Sequence, residues 1–164
     1  MIEPGHTFPS FEVGHFQISM FRGKFTKTSG RAMIDRAAKT GSVDIAIEAA
    51  SVDIGNPRLN DHLKTKDFFN VEQFPVITYK ADTVKFNGDA PASVEGNLTL
   101  LGVTRPVPLA INWVKCFQHP MFKKEVCGAD AIGTFRRSDF GMKYGLPAHG
   151  DEITLRIQIE AVHD

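Results

Sequence analysis

From Ser42 to Ile54 apolar and polar residues alternate almost without fault. Val43, Ile45, Ile47 and Ala49 fall on one side, and Asp44, Ala46 and Glu48 on the other. Strict period-two alternation is the mark of a β-strand with one face buried and one face wet. The same pattern recurs along the chain. Phe11, Val13 and His15 oppose Glu12, Gly14 and Phe16, and Ile77, Tyr79 and Ala81 share a face. Val94, Gly96, Leu98 and Leu100 oppose Glu95, Asn97 and Thr99, and Val107, Leu109, Ile111 and Trp113 oppose Pro108, Ala110 and Asn112. Ala129, Ala131, Gly133 and Phe135 alternate again, and the last run sets Ile153, Leu155, Ile157 and Ile159 against Thr154, Arg156, Gln158 and Glu160. Turn signals separate the runs at Arg22-Gly23-Lys24, Asn87-Gly88-Asp89 and Gly102 to Pro106.

Sequential strands joined by turns predict an antiparallel meander. A flat sheet with one long apolar face would expose that face and two unpaired edges. Closure removes both problems, and about eight strands leave an interior wide enough for side chains or one small ligand. At 164 residues the chain fits one such domain, over residues 1–164, with a sizeable core. The inward positions include Ala49, Ala81, Gly96, Ala129, Ala131 and Gly133, read either as room for a guest or as barrel taper.

One stretch does not alternate. Arg58 to Asn70 carries Asn60 or Asp61 as an N-cap, Leu59 and Leu63 four apart on one helical face, and Phe68-Phe69 at its end. It predicts one short helix near residues 59–69, placed across a barrel mouth. Adjacent strand residues cannot both face inward, so one of Phe68 and Phe69 is expected inside the barrel and the other outside.

Charge and composition narrow the function. Acidic and basic residues number 19 each, which removes a net field toward nucleic acid or anionic lipid. No apolar run is long enough to span a bilayer as a helix. Phe is present 13 times, against one Trp and two Tyr, which signals apolar volume to be filled by packing or by a greasy guest. No leader precedes the first strand, so either the native protein has none or one has been cut away.

Cys116 and Cys127 bracket a polar loop. Three readings stand: a cross-strand disulfide, two reduced core thiols, or a metal site completed by His119. Ser138, His15, His62, Asp61 and Asp139 supply the residue types of a catalytic triad, but none sits in a nucleophile elbow and no glycine run matches a phosphate-cradling loop. Arg137 and Asp139 are expected to brace the turn before Phe140-Gly141 by a charge-assisted bond.

Residues in order and spacing then identify a resemblance. They are His6-Thr7, Phe11, Val13, His15, Gly23, Phe25, Ser51-Val52-Asp53, Asp61-His62-Leu63, Asp67 to Val71, Phe74-Pro75, Leu98-Thr99, Gly102 to Pro106, Arg137 to Gly141 and Glu160-Ala161. Over nearly its whole length the chain resembles the YceI-like family of lipocalin-like polyisoprenoid-binding proteins. The Cys116–Cys127 hairpin resembles a subset of that family.

The resemblance implies an all-β fold, an extended antiparallel eight-stranded lipocalin-like barrel with one isoprenoid or similar amphiphilic chain in its bore. The implied role is non-catalytic binding or transport, with no cofactor or metal and with a long-chain lipid as partner. The alternatives are a lipid-modifying enzyme on the same barrel and a structural barrel with a filled core. Oligomeric state, including a homodimer, is open. Members are often exported, so a periplasmic or other exported location is expected, with the cytoplasm as the alternative. Combining phase and resemblance, the candidate lining is Phe11, Val13, His15, Ile45, Ile47, Phe68, Phe69, Ile77, Tyr79, Leu98, Leu109, Ile111, Trp113, Phe135, Phe140, Leu155 and Ile157. A chain of about twenty carbons, at about 0.8 kcal/mol per buried methylene, gains roughly 16 kcal/mol gross. That approaches the ceiling for noncovalent binding before ordering costs, so discrimination between apolar chains should be weak.

Overall fold

The computed structural model describes residues 1–164. Eleven strands form one antiparallel sheet: β1 (Phe8–His15), β2 (Ser19–Phe25), β3 (Thr28–Asp35), β4 (Thr40–Glu48), β5 (Val52–Asp53), β6 (Val76–Ala81), β7 (Val84–Asn87), β8 (Ala90–Leu100), β9 (Val103–His119), β10 (Lys124–Arg136) and β11 (His149–Val162). The neighbour order is β3-β4-β6-β8-β9-β10-β11-β1-β2-β5, with β7 also beside β8.

The two ends of that path are the two halves of one hairpin. β2 runs into β3, and β4 runs through a single 3-10 turn, Ala49–Ser51, into β5. Phe25 pairs with Val52 and Thr28 with Ile47. Between them the Thr26 amide donates to the Ser51 carbonyl at 3.2 Å, and the Glu48 amide donates to the Lys27 carbonyl at 3.0 Å. The sheet therefore curls into a barrel. Its eleven segments make eight ribbons, namely β1, β2–β3, β4–β5, β6–β7, β8, β9, β10 and β11. The higher segment count arises where an irregularity interrupts a ribbon, such as Asp82-Thr83 between β6 and β7.

Pro106 and Pro108 lie in the middle of β9, a place that normally excludes proline. They are tolerated because β10 pairs with β9 only from Ala110 onward, so below that point β9 is hydrogen-bonded on one side only, to β8.

The helix α1 spans Pro57–Leu63, shorter and earlier than the expected 59–69. Its N-cap is Asn56, whose Oδ1 accepts from the amides of Arg58 at 3.0 Å and Leu59 at 3.3 Å, and Pro57 takes the first helical position, where no amide is needed. Asn60, expected as a cap, instead ties the helix to the barrel. Its Oδ1 accepts from the Ile54 amide at 2.8 Å, and its Nδ2 donates to Asp53 at 3.0 Å. Residues 64–70 form consecutive turns, held by bonds such as the Phe69 amide to the Leu63 carbonyl at 2.9 Å.

Three of the six small inward residues, Ala49, Gly96 and Gly133, do not make room, whereas Ala129 and Ala131 line the interior. A Cβ on Gly96 would overlap the Tyr79 ring, and one on Gly133 would meet Leu109 Cδ2 at 2.7 Å. Ala49 is fully buried in the wall. These positions receive a large neighbour, as close packing requires. Tyr79 cannot swing aside, because it is buried and its hydroxyl donates to the Val107 carbonyl at 2.8 Å. Gly96→Ala is therefore expected to cost about 1–3 kcal/mol of stability through overpacking, read as a lower midpoint in urea at unchanged slope.

Candidate functional site

The barrel encloses a cavity of about 470 Å³, lined by 39 residues of which 32 are hydrophobic. Strand parity builds it: the inward residues of β1, β4, β6, β8, β9, β10 and β11 all project into one space. Fifteen of the seventeen residues expected at the lining are there: Phe11, Val13, His15, Ile45, Ile47, Phe68, Phe69, Ile77, Tyr79, Leu98, Leu109, Ile111, Phe135, Leu155 and Ile157.

Trp113 and Phe140 are elsewhere. A bulge lies between β9 and β10, where Asp130 pairs with Trp113 but Ala131 pairs with Ile111. The extra residue, Asn112, reverses the parity beyond it. Val114 consequently lines the cavity, while Trp113 points out, with 56% of its surface exposed. Phe140 sits in the 3-10 turn Arg137–Phe140, where strand parity no longer applies. It is buried behind Phe135, with ring centroids 5.2 Å apart, and packs as wall rather than as lining.

Phe68 and Phe69 both reach the cavity, because they occupy turns rather than a strand. They work at different depths. Phe69 wedges between Phe11 and Phe25, at 6.4 and 5.3 Å between centroids. Phe68 stands at the mouth against His62 at 5.1 Å and Tyr144 at 5.3 Å. Leu59 and Leu63 share the helical face that lines the cavity, as their spacing requires.

Most of the polar lining gathers at this mouth. His15 stacks on Phe21 at 4.4 Å and on His149 at 5.2 Å. His62 bonds Asp67 at 2.8 Å and meets the Tyr144 ring at 5.3 Å. His149 and Arg137 also line the cavity. Sequence phase pointed to His15 only. His149 lies at the very start of β11, where too few residues alternate to fix a face.

Arg137 is buried and spends its donors on backbone carbonyls: Nε on Gly150 at 2.7 Å, Nη1 on Met142 at 3.2 Å and Nη2 on His149 at 3.2 Å. Burial lowers its pKa from the ordinary value, and the Asp151 carboxylate acts in the opposite sense. The expected brace between Arg137 and Asp139 is replaced. Asp151 takes the Ser138 amide at 2.8 Å and the Ser138 hydroxyl at 2.7 Å, and the Asp139 carbonyl accepts from Arg105 at 3.1 Å. Ser138 is thus bonded to a carboxylate rather than to a histidine base. Burial pushes the Tyr79 hydroxyl up to about 12, so it stays a neutral donor.

The cysteines are joined. Cys116 and Cys127 are directly opposed across β9 and β10 and form a disulfide. That removes the thiolates from the metal reading. His119 Nδ1 instead accepts from the amides of Met121 at 3.2 Å and Phe122 at 3.3 Å.

A second hollow of about 680 Å³ opens beside the disulfide. It shares Ala32, Met33, Ile34, Val114, Ala129 and Ile159 with the first. The two hollows therefore adjoin across these side chains, and the second opens between β3 and the β9–β11 wall.

His149 has a depressed pKa, caused first by burial and then by the positive charge of His15, Arg137 and His62. The unfolded chain, with the ordinary value of 6.5, binds that proton more readily than the folded chain. The stability contributed by the neutral ring is complete above 6.5 and is lost as the pH falls from there through the folded value. Unfolding free energy measured in urea should decline with falling pH in that window, and His149→Gln should flatten the decline. The carboxylates whose pKa values are depressed, Asp151 and Glu12 among them, act at lower pH, below ordinary values of 3.8 and 4.5.

Comparison with known proteins places this barrel. A UPF0312 protein of Pseudomonas aeruginosa is 31% identical over 161 residues, covering 98% of this chain and 83% of the relative. The crystal structure of the Campylobacter jejuni YCEI protein matches with a TM-score of 0.79 at 28% identity, over 92% of this chain and 90% of the other. A polyisoprenoid binding domain from Saccharophagus degradans, implicated in plant cell wall breakdown, shares the fold with a TM-score of 0.71 at 12% identity, over 99% of this chain and 97% of the other. The family model described as YceI-like domain matches residues 1–161, so the chain belongs to the YceI-like domain family.

Proposed function

We propose that the protein is a non-catalytic carrier that holds a long-chain isoprenoid, of polyprenyl or quinone type, or a similar amphiphilic lipid in its bore. One observation carries this reading: an apolar cavity of about 470 Å³ whose polar side chains, apart from Ser10 and the tethered Tyr79, gather at one mouth. That division matches an amphiphile with a long greasy tail and one polar end. The polyisoprenoid binding domain with the same fold supports the ligand class.

Against a hydrolytic reading, the Ser138 hydroxyl donates to the Asp151 carboxylate at 2.7 Å rather than to a histidine. Ester turnover that disappears in Ser138→Ala would overturn the carrier reading. The disulfide supports an exported, oxidising location such as the periplasm.

Organic extraction of the purified protein followed by mass spectrometry is expected to yield a long-chain lipid, and a protein free of lipid that also fails to take up polyprenol or quinone would sink the proposal. Ala131→Phe, which fills the bore from a buried position on β10, is expected to empty it. The two aromatics should separate. Phe68→Ala at the mouth is expected to speed ligand release several-fold with little loss of stability. Phe69→Ala, wedged between Phe11 and Phe25, is expected to cost about 3 kcal/mol or more.

A further inference from the structure

The outer face and the tip of the β9–β10 hairpin carry apolar side chains into solvent. Trp113, Phe117, Met121 and Phe122 are 56%, 51%, 80% and 48% exposed. They form one surface. Val114 and Cys116 face the bore and the second hollow, so Trp113, Lys115, Phe117 and His119 occupy the outer face of β9. The Phe122 ring stacks on His119 at 4.3 Å, and His119 contacts Phe117 at 5.5 Å, which carries the stripe to the tip.

Lys115, Lys123 and Lys124 are exposed along this stripe, and no carboxylate lies within salt-bridge distance of any of them. Of the nearby acids, Glu125 lies on the opposite face, Asp130 binds Asn112 at 2.6 Å, Glu160 beside Gly128 reaches His6 at 3.9 Å, and Asp164 pairs with the N-terminal amine at 3.1 Å. The chain is neutral overall, yet this hairpin is locally cationic.

Exposed aromatics mixed with lysines are the composition of an interfacial anchor. The rings enter the boundary between headgroups and acyl chains while the ammonium groups meet anionic headgroups. We infer that the outer face and tip of this hairpin dock on an anionic phospholipid surface. The middle of the same hairpin, Cys116, Cys127 and Gly128, borders the second hollow, which adjoins the bore. Docking there sets the opening close to the bilayer, where a greasy chain can pass without crossing water; this last clause rests on the carrier reading, and the docking itself does not.

Trp113 is the only tryptophan and lies on the stripe, so it reports docking directly. The full chain is mixed with vesicles of phosphatidylcholine and phosphatidylglycerol, and binding is followed by Trp113 fluorescence and co-sedimentation. The expected result is a blue shift with sedimentation that weakens in salt. Met121→Ser with Phe122→Ser should lower partitioning by roughly tenfold or more, and Lys115→Gln, Lys123→Gln and Lys124→Gln together by roughly a hundredfold. All five side chains are exposed, so the variants are expected to fold, as circular dichroism would verify. No fluorescence shift and no sedimentation, or equal binding by all variants, would overturn the inference. So would a concentration-dependent dimer that both variants abolish while vesicle binding stays absent, because a second copy would then be what covers the stripe. Ala131→Phe separates the two proposals: it should empty the bore and still sediment with vesicles.

Discussion

An antiparallel sheet that curls has to do something with its two edges, and in this chain both belong to one hairpin. The contacts of Thr26 with Ser51 and of Lys27 with Glu48 carry the sheet across the irregularity between β4 and β5 and turn a path into a ring. Once the ring exists, alternation along each strand acquires a meaning that a flat sheet does not give it. One parity faces a shared interior and the other faces water. The cavity, the clustered polar mouth and the placement of α1 across it all follow from that division.

The mouth shows how few polar groups are needed to give an apolar tube a direction. Arg137 lines the bore, but its recorded bonds go to three carbonyls, so its charge is present while its geometry is fixed from behind. His15 and His149 lie nearly parallel, 5.2 Å apart, with Phe21 on the far side of His15, and this stack keeps the rings weakly solvated. Such a site can accept a polar group by hydrogen bonding to ring nitrogens that already sit among aromatic neighbours.

Much of this was legible from residue order alone, and the exceptions have identifiable physical causes. Alternation assigned Ile45, Ile47, Ile77 and Leu155 to the interior because each lies in an unbroken run. It misassigned Trp113 because one inserted residue, Asn112, reverses parity, and nothing in the identity of Asn112 announces a bulge. Small inward residues suggested vacancy at Gly96 and Gly133, but whether a missing side chain leaves a hole depends on which neighbour leans into it. The helix starts earlier than expected because Gly55-Asn56-Pro57, which can end a strand, also begins a helix. An Asn before a Pro is equally a cap followed by a first helical residue. His62 and His149 were beyond reach for a different reason: their meeting depends on how a loop folds over a strand end.

The second hollow beneath the first bears on what the barrel can measure. A cup closed at the bottom compares a guest with its own depth, rejecting what is too long and holding loosely what is too short. Here the floor is no more than the side chains that the two hollows share, Met33, Ile34 and Val114 among them. A guest that pushes them aside would protrude between β3 and the disulfide hairpin, and only the segment inside would be felt. Such a protein would sort molecules by girth and by the group at one end, and would be indifferent to how many repeating units follow.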